Sequence, residues 1–440
     1  MVRPADGRWD LLLLCVAGHI LTAVGRVHQL FPALDVLRPA MVTGLLAIAL
    51  FLFDRHEERR LARIFVPTTK YLLAFLFWMV LSLPGALVVG NSVDLVMGSF
   101  LKTVLLFILV AGAVRGVRDV ERLALAYVLA AAAYASVAIT GFNLGAGAEW
   151  RLGRLYYYDA NDLATFLVTA MPLGLYFLHG GRRLLTRVFA VVALALITVA
   201  FVRTGSRGGF IALVATAGFV VLRYSAIPLW RRVAVTALGV AIVVGTASDQ
   251  YWQQMSTILS DADYNRTAES GRIPIWKRGV GYMMQHPLLG VGPDNFRTAE
   301  GTLSEFADRQ QFGVGVRWNA AHNSYVQVGA ELGVVGLALF LAMIASAFVA
   351  LRRARPDERA ADDSRDRRTQ LTQVLTASLI GFVVGAFFLS LAYSEMLYTL
   401  LALAVGLRKV SEASVIPSAA GVARTRDHRG QPSRVLVPRT

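Results

Sequence analysis

The chain has 440 residues, of which 56% are apolar and 17% charged, and its mean hydropathy is +0.54. Soluble domains average about 45–50% apolar and about 25% charged residues, so this composition excludes an ordinary soluble protein. The single cysteine, Cys15, excludes a disulfide scaffold, and no Cys/His spacing is typical of a zinc site. The net charge of +15 suits either nucleic acid binding or the basic inner loops of a membrane protein.

Twelve segments are apolar and long enough to be candidate transmembrane helices, which need about 20 mostly apolar residues. The first follows Arg3 and Arg8 as a signal peptide would, but no small-residue cleavage site follows it, and we interpret it as a retained helix. The sequence therefore predicts an all-α, polytopic membrane protein with about 12 transmembrane helices. The segments lie near residues 10–25, 36–53, 71–90, 96–114, 122–141, 163–179, 186–202, 208–223, 232–247, 325–350, 371–389 and 393–407.

The distribution of basic residues predicts the orientation, because cytoplasmic loops are enriched in Lys and Arg. With the N-terminus inside, 30 of the 44 Lys and Arg residues fall in inner segments and 13 in outer ones. Both termini are therefore predicted to be cytoplasmic. Basic cytoplasmic loops then account for the positive net charge. Membrane lipids are therefore expected partners, and nucleic acid is not.

The predicted transmembrane domain covers residues 1–409 and includes two long segments outside the membrane. Residues 248–321 form a large outer loop, whose aromatic residues predict short helices at the membrane surface. Residues 352–369 are predicted to be a charged cytoplasmic linker. Residues 410–440, rich in Ser, Pro and Arg, are predicted to be a disordered cytoplasmic tail.

The turn between the seventh and eighth predicted spans, RTGSRGG at residues 203–209, holds two arginines. A helix starting near Gly208 presents unpaired N–H groups and its positive dipole end beside Arg207, an arrangement that suits phosphate or diphosphate. The alternative is a tight turn with an arginine that reaches towards the interface, although a simple turn needs no second arginine. The candidate site residues here are Arg203, Ser206 and Arg207.

The outer loop carries a second basic cluster, GRIPIWKR, followed by HPLLGVG, at residues 271–278 and 286–292. The proline near its start predicts an amphipathic helix that lies along the interface and ends at the His-Pro pair. Lys277 and Arg278 continue this helix and fit attachment to anionic lipid headgroups. Arg272 fits that role less well because it precedes the proline. The candidate site residues here are Arg272 and Trp276.

Residues 321–325, Ala-His-Asn-Ser-Tyr, lead into the tenth predicted span. Asn323 or Ser324 can cap that helix, which leaves His322 just above its N-terminus as either a hydrogen-bonded neighbour of the cap or a catalyst. Glu331 lies about 10 Å into the span, where an unpaired carboxylate is costly, and an arginine partner is predicted. The candidate site residues here are His322, Asn323, Tyr325 and Glu331.

Weaker features complete the candidates. Arg154 and Asn161 lie at the outer entrance to the sixth span, and Tyr393 and Glu395 near the last outer turn; each suits either a polar pocket or an interfacial anchor. Asp261-Ala262-Asp263 matches the D-x-D pattern with which many glycosyltransferases hold a divalent cation, but so short a pattern is usually chance. No metal ion and no cofactor are predicted.

Three motifs in this order, TGSRGG, G-R-x-x-x-W with HPLLGVG, and H-N-S-Y-x-x-x-x-x-E-x-G, resemble those of the O-antigen ligase and O-antigen polymerase superfamily. The resemblance covers roughly residues 150–400. It implies a GT-C-like glycosyltransferase of the bacterial inner membrane that uses a glycan on undecaprenyl diphosphate and acts at the periplasmic face, without metal and with inversion. The residues that are essential in that family correspond here to Arg207, Arg272 and His322.

The resemblance leaves the acceptor open. It is lipid A core for a ligase and another lipid-linked glycan for a polymerase, and exopolysaccharide polymerases and protein O-oligosaccharyltransferases share the motifs. The long outer loop and the form of the third motif favour the ligase branch slightly. The alternative of another class is a lipid-glycan transporter or flippase, but the chain shows no convincing internal repeat and its polar residues cluster on one face.

Overall fold

A computed structural model describes residues 8–140, 151–152, 157–180, 184–259, 265, 268–308, 319–354 and 362–413. Over these residues the protein is helical and has no β-strand, as the sequence predicts. Apart from short helical segments of seven residues or fewer, the helices before the predicted outer loop are α1 (Leu11–His19), α2 (Pro39–Phe53), α3 (Pro67–Ser82), α4 (Leu101–Ala113), α5 (Val117–Thr140), α6 (Ala160–Gly180), α7 (Leu184–Thr204), α8 (Arg207–Arg223) and α9 (Leu229–Thr246). The remaining helices are α10 (Asp249–Ser256), α11 (Arg272–Gln285), α12 (Phe296–Thr302), α13 (Ser324–Arg353), α14 (Asp362–Ala386) and α15 (Glu395–Ala413).

Nine helical segments in the described part of the chain are long and apolar enough to cross a membrane, and each coincides with a predicted span. The other three predicted spans are also helical but shorter or more polar: Leu11–Val24, α8 and α15. The protein is thus a multi-pass helical membrane protein, and the count of twelve spans stays a prediction. The nine are Ala33–Phe53, Pro67–Gly85, Val89–Ala113, Val117–Thr140, Ala160–His179, Leu184–Thr204, Leu229–Thr246, Ser324–Arg353 and Arg365–Ala386.

Charged residues tie together one end of the helix bundle, the end predicted to be cytoplasmic. Arg59 is 4% exposed and forms ion pairs with Asp10, at 2.6 Å, and with Asp54. Lys409, near the end of α15, donates hydrogen bonds of 2.9 and 3.1 Å to two carbonyls in the last turn of α4. Four segments that are distant in the sequence therefore meet at this end.

The opposite end carries its own set of contacts. Arg26 forms an ion pair of 2.7 Å with Glu395, and its guanidinium lies 3.9 Å from the centroid of the Tyr157 ring. Asn295 donates a hydrogen bond of 3.2 Å to the carbonyl of Val88. The connections between helices that are predicted to face outwards therefore lie close together.

Two predicted boundaries differ from the structure. The charged linker, predicted over residues 352–369, is shorter because α14 already begins at Asp362. The charged residues from Arg365 to Arg368 lie in the polar first turns of that helix, where Arg367 is 3.4 Å from the carboxylate of Glu121. The helix α15 also continues beyond residue 409, and the rest of the predicted tail lies outside the described residues.

The helices differ strongly in burial. In α15, residues 396–405 are fully buried, as expected for a helix that is apolar on all sides and lies inside a bundle. Most side chains of α9 are exposed and face the predicted lipid. The connection before α15 therefore lies at the centre of the outer end, where it contacts several helices.

Candidate active site

The turn at residues 203–209 is built by a helix cap. Ser206 accepts a hydrogen bond of 3.1 Å from the N–H of Gly209, and α8 begins at Arg207 as the sequence predicts. Arg207 donates from Nη1 to Oγ1 of Thr257 at 2.6 Å, just after α10. The guanidinium is therefore oriented by the outer loop, which a simple snorkelling arginine would not require.

Arg151 holds the end of the preceding helix. Its Nε donates to the carbonyl of Thr204 at 2.7 Å, and its Nη2 donates to Oδ1 of Asn161 at 2.9 Å. The amide oxygen of Asn161, a predicted substrate contact, thus has a protein partner. The backbone carbonyl of Arg203 accepts from Leu152 at 2.9 Å. Arg154 lies outside the described residues.

The helix α11 places the second predicted arginine at its start. Gly271 caps the helix, Arg272 is its first residue, and the helix ends before His286 as predicted. One turn later, Nε1 of Trp276 donates a hydrogen bond of 2.9 Å to the carbonyl of Ala321. Trp276 therefore fixes α11 against the residue that precedes His322.

His322 lies in a strained and partly buried loop. Its φ of +46° is in the left-handed region, which residues other than glycine rarely adopt. Burial lowers the pKa of His322 below its ordinary value, the charges of Arg272 and Arg297 lower it further, and Asp159 opposes them. Asn323 caps α13 with hydrogen bonds to two backbone N–H groups, and Tyr325 donates to the carbonyl of Val383 at 2.8 Å. Arg272 and His322 are therefore electrostatic neighbours.

A turn that sequence reasoning missed, residues 387–391 between α14 and α15, contacts two of these pieces. A Cβ atom on Gly208 would lie 2.7 Å from Cβ of Phe388, so the first turn of α8 packs directly on Phe388. The ring of Phe387 meets that of Trp276 edge to face, with centroids 5.3 Å apart. The turn thus lies between α8 and α11.

The same turn binds the loop that carries His322. Oγ of Ser390 accepts the N–H of His322 at 3.0 Å. Ser324 donates from Oγ to the carbonyl of Leu389 at 2.7 Å and accepts from the N–H of Leu391 at 2.8 Å. The elements that carry Arg207, Arg272 and His322 therefore meet on one turn. Its sequence, FFLSL, has no charged residue and gave no signal of this role.

The prediction that Glu331 pairs with an arginine is wrong. Glu331 is 1% exposed, and its carboxylate accepts hydrogen bonds from the hydroxyl of Tyr393 at 2.6 Å, the N–H of Phe296 at 3.3 Å and the side chain of Gln327 at 3.4 Å. A phenol, a helix N-terminus and an amide satisfy the carboxylate without a cation. The proposed substrate contact at Glu331 is thus occupied by protein groups.

The HPLLGVG segment braces a break in α13. At Gly333 the backbone has φ +69°, and a Cβ atom there would lie 2.3 Å from the carbonyl oxygen of Leu288. The break exposes backbone groups of α13, which the segment satisfies. The hydrogen bonds are Val291 N to Ala330 O at 2.9 Å, Gly292 N to Glu331 O at 2.9 Å and Val334 N to Pro287 O at 2.8 Å. This motif therefore positions the outer loop on α13.

Two other arginines that the structure describes in the outer loop, Arg278 and Arg297, differ in their surroundings. Arg278, for which lipid attachment was an alternative, pairs with buried Glu300 at 2.6 Å, and Tyr282 donates to the same carboxylate at 2.8 Å. Arg297 is exposed on α12 and acts on His322 by its charge. Sequence reasoning missed Arg297 because it belongs to no motif.

Among the described residues, no group of three or more His, Cys, Asp or Glu side chains could hold a metal ion. Asp261 and Asp263, the D-x-D pair, lie outside these residues.

Residues 164–341 match the family model described as O-antigen ligase. The matched segment is 178 of the 440 residues and is similar to O-antigen ligases. The resemblance to the O-antigen ligase and polymerase superfamily is therefore confirmed. No curated protein was found to match the chain.

The segment that matches the O-antigen ligase model runs from α6 into α13 and contains Arg207, Arg272 and His322. The turn at residues 387–391, which contacts all three elements, lies outside it. A multi-pass helical protein with an O-antigen ligase domain has a role in glycan transfer at a membrane.

Proposed function

We propose that the protein is an O-antigen ligase-type glycosyltransferase, which moves a glycan from undecaprenyl diphosphate to an acceptor hydroxyl. The reaction takes place at the periplasmic face of the bacterial inner membrane, and both termini are cytoplasmic. The observation that carries the proposal is the hydrogen bond by which Trp276, one turn after Arg272 in α11, holds the residue before His322 at the N-terminus of α13, within the segment that matches the family model.

His322 is the proposed general base. A base must be neutral before the reaction, and burial together with the charge of Arg272 lowers the pKa of His322 and so favours its neutral form. The acceptor oxygen forms a bond with the anomeric carbon, and the bond from that carbon to the diphosphate oxygen breaks. His322 takes the hydroxyl proton, and the diphosphate leaves with the electron pair. A single displacement of this kind inverts the anomeric centre.

Arg207 and Arg272 are proposed to bind the diphosphate. Both stand at the first residue of a helix, where the helix dipole adds positive potential. The hydrogen bond from Arg207 to Thr257 orients its guanidinium, and positioned guanidiniums stabilise negative charge as it develops on a leaving group. Because two guanidiniums supply this charge, the proposed reaction uses no metal ion.

The test is transfer by the purified protein with a defined undecaprenyl-diphosphate glycan and two alternative acceptors, lipid A core and a second lipid-linked glycan. We expect a lipid A core product and release of undecaprenyl diphosphate. His322→Gln should lower transfer by about 10²-fold or more while donor binding stays close to that of the native protein. Arg207→Ala and Arg272→Ala should lose donor binding, and Lys277→Ala, an exposed position on the helix of Arg272, is the control.

Each other outcome points to a different function. A product formed only with the second lipid-linked glycan would make the protein a polymerase of the same superfamily. Movement of the donor across vesicles without release of undecaprenyl diphosphate would make it a transporter. Equal losses of donor binding and transfer in His322→Gln would place His322 in the diphosphate site.

A further inference from the structure

We infer that Ser390 is a positioning residue that aims the imidazole of His322 by holding its backbone in the left-handed conformation. The inference rests on the proposed function of His322 as the base. Its basis is the pairing of two observations at one residue: His322 has a φ of +46°, and its N–H donates to Oγ of Ser390 at 3.0 Å.

The backbone angle of His322 decides where its side chain points. The Cα–Cβ bond of a left-handed residue points in a different direction from that of an extended or helical residue. A strained backbone of this kind persists only where surrounding contacts hold it in place. Without Ser390, the N–H of this partly buried residue would lose this hydrogen bond and the restraint that it places on the backbone angle.

The neighbours of His322 are anchored independently. The carbonyl of Ala321 accepts from Trp276 at 2.9 Å, and Asn323, which is 1% exposed, caps α13. Loss of the hydroxyl of Ser390 therefore leaves the loop attached on both sides and frees the one residue between them. This predicts a change in the direction of the imidazole rather than collapse of the site.

The decisive variants are Ser390→Thr and Ser390→Val, which have the same shape and differ in the hydroxyl. Ser394→Ala is the matched control, since Ser394 lies in the same connection and accepts a backbone N–H, that of Met396. We expect Ser390→Val to lower kcat about 30-fold relative to Ser390→Thr, because small errors in the placement of a catalytic group cost up to about 10²-fold. KM for the lipid-linked donor should stay the same in both. Equal kcat values in the two variants would overturn the inference.

A double-mutant cycle separates positioning from general stability. If Ser390 acts through His322, Ser390→Val should lower transfer in the native background and have no further effect in His322→Gln. If Ser390→Val lowered transfer by the same factor in both backgrounds, the inference would be contradicted and the proposed function would stay intact. Full transfer by His322→Gln would instead refute the proposed role of His322. If Ser390→Val does not fold, the comparison of Ser390→Thr with Ser390→Cys, in which a thiol is a weaker acceptor, takes its place and is judged by the same criteria.

Discussion

The hydroxyl of Tyr393 donates a hydrogen bond of 2.6 Å to the carboxylate of Glu331, which joins the interior of α13 to the connection before α15. From the sequence, Tyr393 suited either a polar pocket or an interfacial anchor, and Glu331 was predicted to pair with an arginine. Their pairing gives a structural reason for an acid inside a membrane span, because each group satisfies the other where water is absent.

Tyr393→Phe should therefore destabilise the protein more than it impairs transfer. The carboxylate loses its shortest hydrogen bond while it stays buried, which costs about 1–3 kcal/mol. The measurement is thermal unfolding in detergent, with Tyr71→Phe, at an exposed position, as the control. Unchanged unfolding together with a large loss of transfer would indicate that this hydroxyl contacts substrate.

Gly333→Ala should destabilise α13 at its break. The left-handed backbone disfavours any side chain, and the new Cβ would lie 2.3 Å from a carbonyl oxygen, so we expect a loss of about 2 kcal/mol or more. Gly281→Ala is the matched control, because it lies within α11 with open space around it and should be neutral or slightly stabilising. Similar unfolding temperatures for the two variants would contradict the break as described.

Arg297→Gln should move the pH dependence of transfer to higher pH. The charge of Arg297 lowers the pKa of His322, so its removal raises that pKa. The base then becomes protonated at a higher pH, and transfer is lost earlier as the pH falls. Rate against pH is the measurement, with Arg297→Lys and Lys277→Gln expected to keep the native profile. A shift to lower pH would contradict the role of His322 as a base.

Arg278→Ala should loosen the outer loop. It leaves Glu300, whose side chain is 2% exposed, without its cation, and loss of one partner of a buried pair costs about 3 kcal/mol or more. We expect faster limited proteolysis between α11 and α13 and a lower unfolding temperature. Lys277→Ala, at the exposed residue that precedes Arg278, should show neither change.

A chelator should leave transfer by the native protein unchanged, because Arg207 and Arg272 are proposed to stabilise the leaving group. Transfer that stops with a chelator and returns with Mn²⁺ or Mg²⁺ would contradict this prediction and direct attention to Asp261 and Asp263. The variants Asp261→Asn and Asp263→Asn then decide whether that pair holds the ion.

Features that depend on neighbouring residues could be predicted from the sequence. The start of α8 at Ser206 and Arg207, the end of α11 before His286 and the cap at Asn323 all follow from short-range hydrogen bonding and backbone preference. The apolar segments also located the helices, because hydrocarbon-spanning length is a local property.

Features that depend on packing between distant segments could not be predicted from the sequence. Glu331 needed a partner, but nothing local distinguishes an arginine from a tyrosine 62 residues away. Ser390 lies in an uncharged turn, 68 residues from the histidine that it holds, and its importance depends wholly on where α14 ends. Side chains chosen by tertiary contact carry no signature in a single sequence.

The hairpin of α14 and α15 contacts the proposed site from outside the segment that matches the O-antigen ligase model, and this constrains how related proteins can be recombined. A chimera that takes residues 164–341 from one relative and this hairpin from another would contain every residue of the matched domain. It would nevertheless join a foreign turn to the backbone at His322 and to the first turn of α8. Such chimeras should work only when the turn is exchanged together with the matched segment, so the two parts behave as one functional unit.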